Sequence, residues 1–178
     1  VNRMFDLGFT KKELMERGVK LGADVPYCIM RGTALSEGIG EILTELPAPP
    51  QCHLVIAKPQ ISVSTKAVYG KLRVNELAPE EHPDIDGMMA AIKNGDLDGV
   101  IERLGNVLET VTVPDHPEIA RIKEMMMENG ACGSLMSGSG PTTYGLYQDE
   151  ILARMALKKA KEQYQDYDVL LCRTRLPE

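Results

Sequence analysis

The chain has 178 residues, of which 43% are hydrophobic and 26% charged, and its formal charge is −6. This is the make-up of a soluble globular protein with room for one domain or one and a half. The acidic balance argues against nucleic acid as a partner, which calls for a basic face, but leaves room for a phosphorylated small molecule in a locally favourable pocket. No apolar run approaches the roughly 20 residues of a membrane span and no signal peptide is evident. A cytoplasmic protein with no membrane partner is therefore expected.

Thr10 and Glu13 have capping-box spacing, which predicts a helix running to about Lys20 and stopping at Gly22. In the following stretch, Ala23 to Met30, Pro26 predicts an extended entry into an apolar strand. Asp24 then sits at the bend between helix end and strand. It is either a turn or cap aspartate or a carboxylate on a cleft floor that accepts or orients a hydroxyl proton during group transfer. Arg31-Gly32 and Glu37 to Gly40 mark turns in an extended, glycine-punctuated region. Leu46 to Pro50 carries prolines at 47, 49 and 50, a stiff connector and the best boundary in the chain.

Beyond it, His53 to Ala57 is an apolar run with the character of a buried strand. Ser62, Ser64 and Thr65 precede a helix to Leu72, and Ser64 or Thr65 caps it. The start of that helix either holds an anion or is only capped, and the Tyr69 ring either stacks on a flat ligand or only packs. Helices follow at Ile85 to Lys93 with Gly95 as stop, and after the Asp96 cap with Leu97, Val100, Ile101 and Leu104 inward. A third spans Glu118 to Asn129, with Ile119, Ile122, Met125 and Met126 on its stripe. Two short strands enclose the loop Ser137-Gly138-Ser139-Gly140-Pro141, and Ile151 to Tyr164 (helix) and Asp168 to Arg173 (strand) complete the chain.

From residue 51 the order is strand, helices, strand, turn, strand, helix, strand. This is an α+β chain of ferredoxin-like split β-α-β type with extra helices in the first crossover. The glycine loop has neither the Walker A lysine nor GxGxxG spacing. Its glycines and hydroxyls suit a plain hairpin turn or a backbone that lies against a phosphate. Cysteines at 28, 52, 132 and 172 form no CxxC pair and do not combine with His53, His82 or His116 at zinc spacings. Buried reduced thiols and no metal site are expected.

Three segments together carry a further signal. LGADVPYCIMRGTALSEGIGEIL (21–43), KPQISVSTKAVY (58–69) and GSLMSGSGPTTYGLY (133–147) resemble, in this order, the GHMP kinase superfamily. Within it they are most similar to the branch that phosphorylates a cytidylated methylerythritol for isoprenoid synthesis. The resemblance implies ATP with Mg2+ as cofactor and a small-molecule acceptor as partner. It puts Asp24 at the catalytic aspartate, facing the same cleft as Ser137, Gly138, Ser139, Gly140 and Pro141 beside the nucleotide phosphates. It puts Thr65 and Tyr69 at the cytidine end of the acceptor. Residues 1–48 would be the tail of the ATP-binding N-terminal domain and 49–178 the C-terminal GHMP domain. The family's lysine motif and its long phosphate-wrapping loop would lie upstream of Val1. The chain alone is then expected to be inactive, with apolar surface at Tyr27, Ile29 and Leu35 open to self-association.

Two other readings stay open at this stage. One is a GHMP kinase acting on homoserine, mevalonate or a sugar. The other is a non-catalytic ferredoxin-like ligand-binding or regulatory domain.

Overall fold

The computed structural model describes residues 1–174. They form two compact units, Val1–Pro49 and a second that begins at Pro50.

The first unit holds α1 (Lys11–Gly18), α2 (Val25–Met30) and a hairpin of β1 (Thr33–Glu37) and β2 (Ile42–Leu46). The capping box forms: the Thr10 N–H donates to Glu13 Oε2 at 2.9 Å and the Glu13 N–H to Thr10 Oγ1 at 3.2 Å. The helix ends at Gly18 rather than near Lys20 because α2 packs there. A Cβ on Gly18 would stand 2.8 Å from Val25 Cγ1, so only glycine allows this approach.

The expected strand over 23–30 is a helix. Pro26 falls in the first turn of α2, where a missing N–H costs nothing and a fixed φ favours the helix. This outweighs the extended bias that a proline places on the residue before it. Arg31 and Gly32, at φ 61° and 86°, then reverse the chain into the hairpin. Its register runs from Thr33 opposite Leu46 to Glu37 opposite Ile42.

Only Gly18, Pro26 and Met30 are buried in this unit, while Met4, Phe5, Leu21 and Ile39 lie largely open. Two strands and two short helices do not make a core of their own. Tyr27 is exposed as expected, but Ile29 and Leu35 are half-buried.

The second unit runs β3 (His53–Lys58), α3 (Thr65–Lys71), two 3-10 turns, α4 (Ile85–Asn94), α5 (Leu97–Glu102), α6 (Glu109–Asp115), α7 (Pro117–Glu128), β4 (Gly133–Met136), β5 (Thr143–Tyr147), α8 (Glu150–Gln163) and β6 (Asp168–Arg173). The sheet order is β4-β5-β3-β6, antiparallel throughout. This is the split β-α-β order expected from the sequence. In the centre of the sheet Val55 pairs with Gly145 on one side and Leu171 on the other.

Helices α7 and α8 cover the sheet. Val55 and Ala57 alternate inward from β3, and Ile122, Met125 and Met126 meet them from α7. Ala153, Ala156 and Ala160 recur at helical spacing, and their small side chains bring α8 close to the strands. The buried Tyr147 hydroxyl donates to Met126 O at 3.3 Å. Burial pushes this phenol up to about 12, with nearby Cys132 adding to the shift, so it stays a donor at neutral pH. A second cluster of Val68, Leu108, Ile119 and Met136 lies beneath α3 and α6.

Two expectations need correction here. Helix α6 has no counterpart in the sequence reading, because Thr110 to Val113 is β-branched and Pro114 sits inside the helix. Packing of Leu108 and Thr112 prevails over that local preference. All four cysteines are free, but only Cys52 is buried; Cys28, Cys132 and Cys172 are exposed. Among the described residues no helix is long and apolar enough to cross a membrane.

Candidate functional site

The β4–β5 loop is held closed by its own backbone. The Ser137 N–H donates to Thr142 O at 2.8 Å and the Gly140 N–H to Ser137 O at 3.0 Å. Gly138 and Gly140 have φ 56° and 86°, a region side chains rarely enter. At Gly140 space is also lacking, since a Cβ would stand 2.6 Å from Met136 Sδ. The N–H groups of Gly138 and Ser139 donate to no acceptor among the described residues. Ser137 and Gly138 are exposed, and Pro141 is buried beneath them.

Four side chains from other elements grip this loop. Thr65 Oγ1, in the first turn of α3, lies 2.8 Å from Ser139 Oγ. Asn106 Nδ2 donates to both Met136 O and Gly138 O, each at 2.8 Å, while its Oδ1 accepts from the Leu108 N–H at 3.0 Å. Thr112 Oγ1 donates to Ser139 O at 3.2 Å. Glu109 Oε1 accepts from the Met136 N–H at 2.7 Å, and its Oε2 pairs with Lys123 Nζ at 2.5 Å. The structure thus brings Thr65 to the glycine loop from 74 residues away in the chain.

Ser64 caps α3, its Oγ accepting from the Ala67 N–H at 3.3 Å. A small cavity of about 80 Å³ opens between α3 and α6, lined in part by Ser64, Val68, Lys71, Thr112 and His116. Lys71 Nζ binds Asp115 Oδ2 at 2.5 Å on its rim, and this bond holds the Asp115 carboxyl below its usual range. Tyr69 faces outward with 61% of its surface exposed, and its ring stacks on no other aromatic among the described residues.

Asp24 belongs to the first unit. It is the N-cap of α2, at φ −81° and ψ −12°, and its side chain makes no capping bond. Nearby, the Tyr27 hydroxyl donates to Gly32 O and the Ser36 hydroxyl to Gly40 O, and neither engages the Asp24 carboxylate. Gly40 flanks it: a Cβ there would lie 3.8 Å from Asp24 Oδ1. The carboxylate is exposed and keeps its acceptor sites open.

Asn106, Glu109 and Thr112 did not stand out in the sequence. They fall between the helices read up to Leu104 and from Glu118, in a stretch to which no element was assigned, and their one visible signal is polar residues spaced through Leu104 to Val113. Chemically, the loop offers neutral donors, two free N–H groups among hydroxyls, on a backbone stiffened from four sides. Such a surface suits an anion neighbour.

Residues 88–166 match the family model for the C-terminal domain of GHMP kinases. The chain is 52% identical over 170 residues to the 4-diphosphocytidyl-2-C-methyl-D-erythritol kinase of Lachnospira eligens, covering 94% of this chain and 58% of that protein. With the enzyme of the same name from Lachnoclostridium phytofermentans it shares 50% over 161 residues, covering 90% of this chain and 55% of that one. The chain thus spans a little over half the length of these relatives. A crystal structure of 4-(cytidine 5'-diphospho)-2C-methyl-D-erythritol kinase superposes with a TM-score of 0.72 at 27% identity, over 91% of this chain and 57% of that one. The homoserine kinase of Cytophaga hutchinsonii superposes with a TM-score of 0.79 over 98% of this chain and 61% of that one, at 19% identity, a likeness of fold alone.

Proposed function

Because the chain carries a GHMP kinase C-terminal domain, we propose that it is the C-terminal portion of an ATP-dependent kinase that phosphorylates the 2-hydroxyl of 4-diphosphocytidyl-2-C-methyl-D-erythritol. Residues 1–48 are then the tail of the nucleotide-binding N-terminal domain, and 49–178 the C-terminal domain. The observation that carries the reading is the glycine loop, whose two unengaged N–H groups are held in place by residues from α3, the α5–α6 segment and α6. The choice of acceptor rests on relatives of that name at 50–52% identity.

Each residue takes a role that suits its chemistry. The open carboxylate of Asp24 accepts or orients the proton of the acceptor hydroxyl as it attacks the γ-phosphoryl group. Ser137 to Pro141 lie beside the nucleotide phosphates. The exposed Tyr69 ring stacks on the cytosine, and Thr65 marks the same end of the acceptor. Phosphoryl transfer depends mostly on positioning and charge neutralisation. The donors in this loop are neutral; Mg2+, when bound with the nucleotide, would supply positive charge to the phosphates, together with the N-terminal part of the enzyme. Among the described residues no three His, Cys, Asp or Glu side chains cluster to hold a cation. Mg2+ would be held mainly by the nucleotide's phosphates with one or two carboxylates.

The test is an acceptor panel with the intact kinase, the longer enzyme that contains this chain. Given ATP and equal concentrations of cytidylated methylerythritol, homoserine, mevalonate and galactose, it is expected to phosphorylate the first alone. Preference for any of the others would reassign the acceptor and leave the kinase class standing.

A further inference from the structure

We propose that Asn106 is a positioning residue for the phosphate-facing loop, setting the orientation of the Gly138–Ser139 peptide so that the Ser139 N–H points at the ligand. The inference rests on the reading of that loop as a phosphate neighbour, and it names the group that aims it.

The geometry comes from the planarity of the peptide. In a trans peptide the carbonyl and the following N–H point in opposite directions. Asn106 Nδ2 binds Gly138 O at 2.8 Å, which turns this carbonyl inward. The Ser139 N–H of the same peptide is thereby turned away from Asn106, and it has no acceptor among the described residues. The two neighbouring peptides behave differently. Asn106 also holds Met136 O, but the N–H across that peptide, on Ser137, is taken up by Thr142 O at 2.8 Å. Thr112 holds Ser139 O, and the N–H across that peptide, on Gly140, is taken up by Ser137 O at 3.0 Å. Of the three peptides gripped from outside at their carbonyls, only the one fixed by Asn106 at Gly138 presents a free donor.

Asn106 is itself well fixed. Its Oδ1 accepts from the Leu108 N–H at 3.0 Å, so the amide cannot turn over without losing three bonds. Gly138 is exposed and its φ of 56° is open to alternative backbone states. Without the amide, the peptide at 138–139 is free to flip and to offer its carbonyl, rather than its N–H, to an approaching phosphate. A carbonyl oxygen there repels the anion that the N–H attracts.

The experiment uses the intact kinase with Asn106→Asp, which keeps the size and the acceptor for Leu108 but sets carboxylate oxygen against the two loop carbonyls. The expected result is a loss of roughly 10²–10³-fold in kcat/KM for ATP, on the scale of one lost oxyanion-type donor. The KM for the acceptor stays within about twofold. If Asn106→Asp does not fold, Asn106→Ser, which withdraws the amide and leaves the carbonyls to water, is read the same way. A merely structural role would lower the parameters of both substrates together, in proportion to the folded fraction, and that result overturns the proposal. Asp24→Asn is run beside it. If Asp24→Asn abolishes turnover while the Asn106 variants match wild type, this inference fails and the kinase reading stands. If neither substitution affects turnover, this inference fails and Asp24 leaves the chemistry as well; the kinase reading itself fails only if the wild-type enzyme transfers phosphate from ATP to none of the acceptors.

Discussion

Asp24→Asn in the intact kinase is expected to lower kcat by about 10²- to 10⁴-fold, the range in which a positioned acid–base group contributes, with KM for ATP nearly unchanged. The asparagine keeps the shape of the side chain and removes the charge that accepts or orients the hydroxyl proton. The alternative role for this residue is structural, as the cap of α2, and the two roles separate on stability. A capping side chain replaced by alanine costs about 1 kcal/mol. In the structure the Asp24 side chain caps nothing. Asp24→Ala is therefore expected to melt within the small range of ordinary surface substitutions, about 0.5 kcal/mol. A kcat for Asp24→Asn within tenfold of wild type would remove the carboxylate from the chemistry, and a clear loss of stability in Asp24→Ala would return it to the helix.

The second large effect is at Gly140. Gly140→Ala meets two penalties: a backbone at φ 86° that an L side chain resists, and a Cβ 2.6 Å from Met136 Sδ. Met136 is only 1% exposed and belongs to the cluster under α3 and α6, so it cannot swing aside into solvent. The left-handed backbone costs about 1–2 kcal/mol and crowding a packed core about 1–3. A combined loss of about 2–5 kcal/mol lowers the melting temperature by roughly 4–20 °C for a chain of this size. Gly138→Ala is the internal control. Its φ is 56°, but a Cβ there would touch nothing within 4 Å, so only the backbone penalty applies. Equal melting of the two variants would mean that Met136 does not fill the space under Gly140.

The sequence reading succeeded where hydrophobic period and capping chemistry agree. The run His53 to Ala57, the stripe Ile119, Ile122, Met125 and Met126, and the Thr10–Glu13 box each specify an element locally, and the alternation of strands and helices then yields the sheet order. It failed at Val25–Met30, where a proline can start a helix as readily as it can bar one, and at Glu109–Asp115, where tertiary packing overrides β-branching and an internal proline. The site was legible in the same uneven way. Gly138, Gly140, Ser139 and Thr65 stand out because their residue types are unusual in context, but the hydrogen bond between Thr65 and Ser139 spans 74 residues and no local pattern announces it. Asn106 stayed invisible for the same reason. The two loop carbonyls its amide reaches lie 30 and 32 residues further along.

Whether the β4–β5 hairpin is a phosphate neighbour or only a turn is decided most directly by the amide resonances of the loop. In the ¹⁵N-labelled intact kinase, titration with a non-hydrolysable ATP analogue is expected to shift the Gly138 and Ser139 amides in step with saturation, while the cytidylated acceptor alone perturbs Thr65 and Tyr69. Saturation by the nucleotide with the Gly138 and Ser139 amides unmoved would contradict the account.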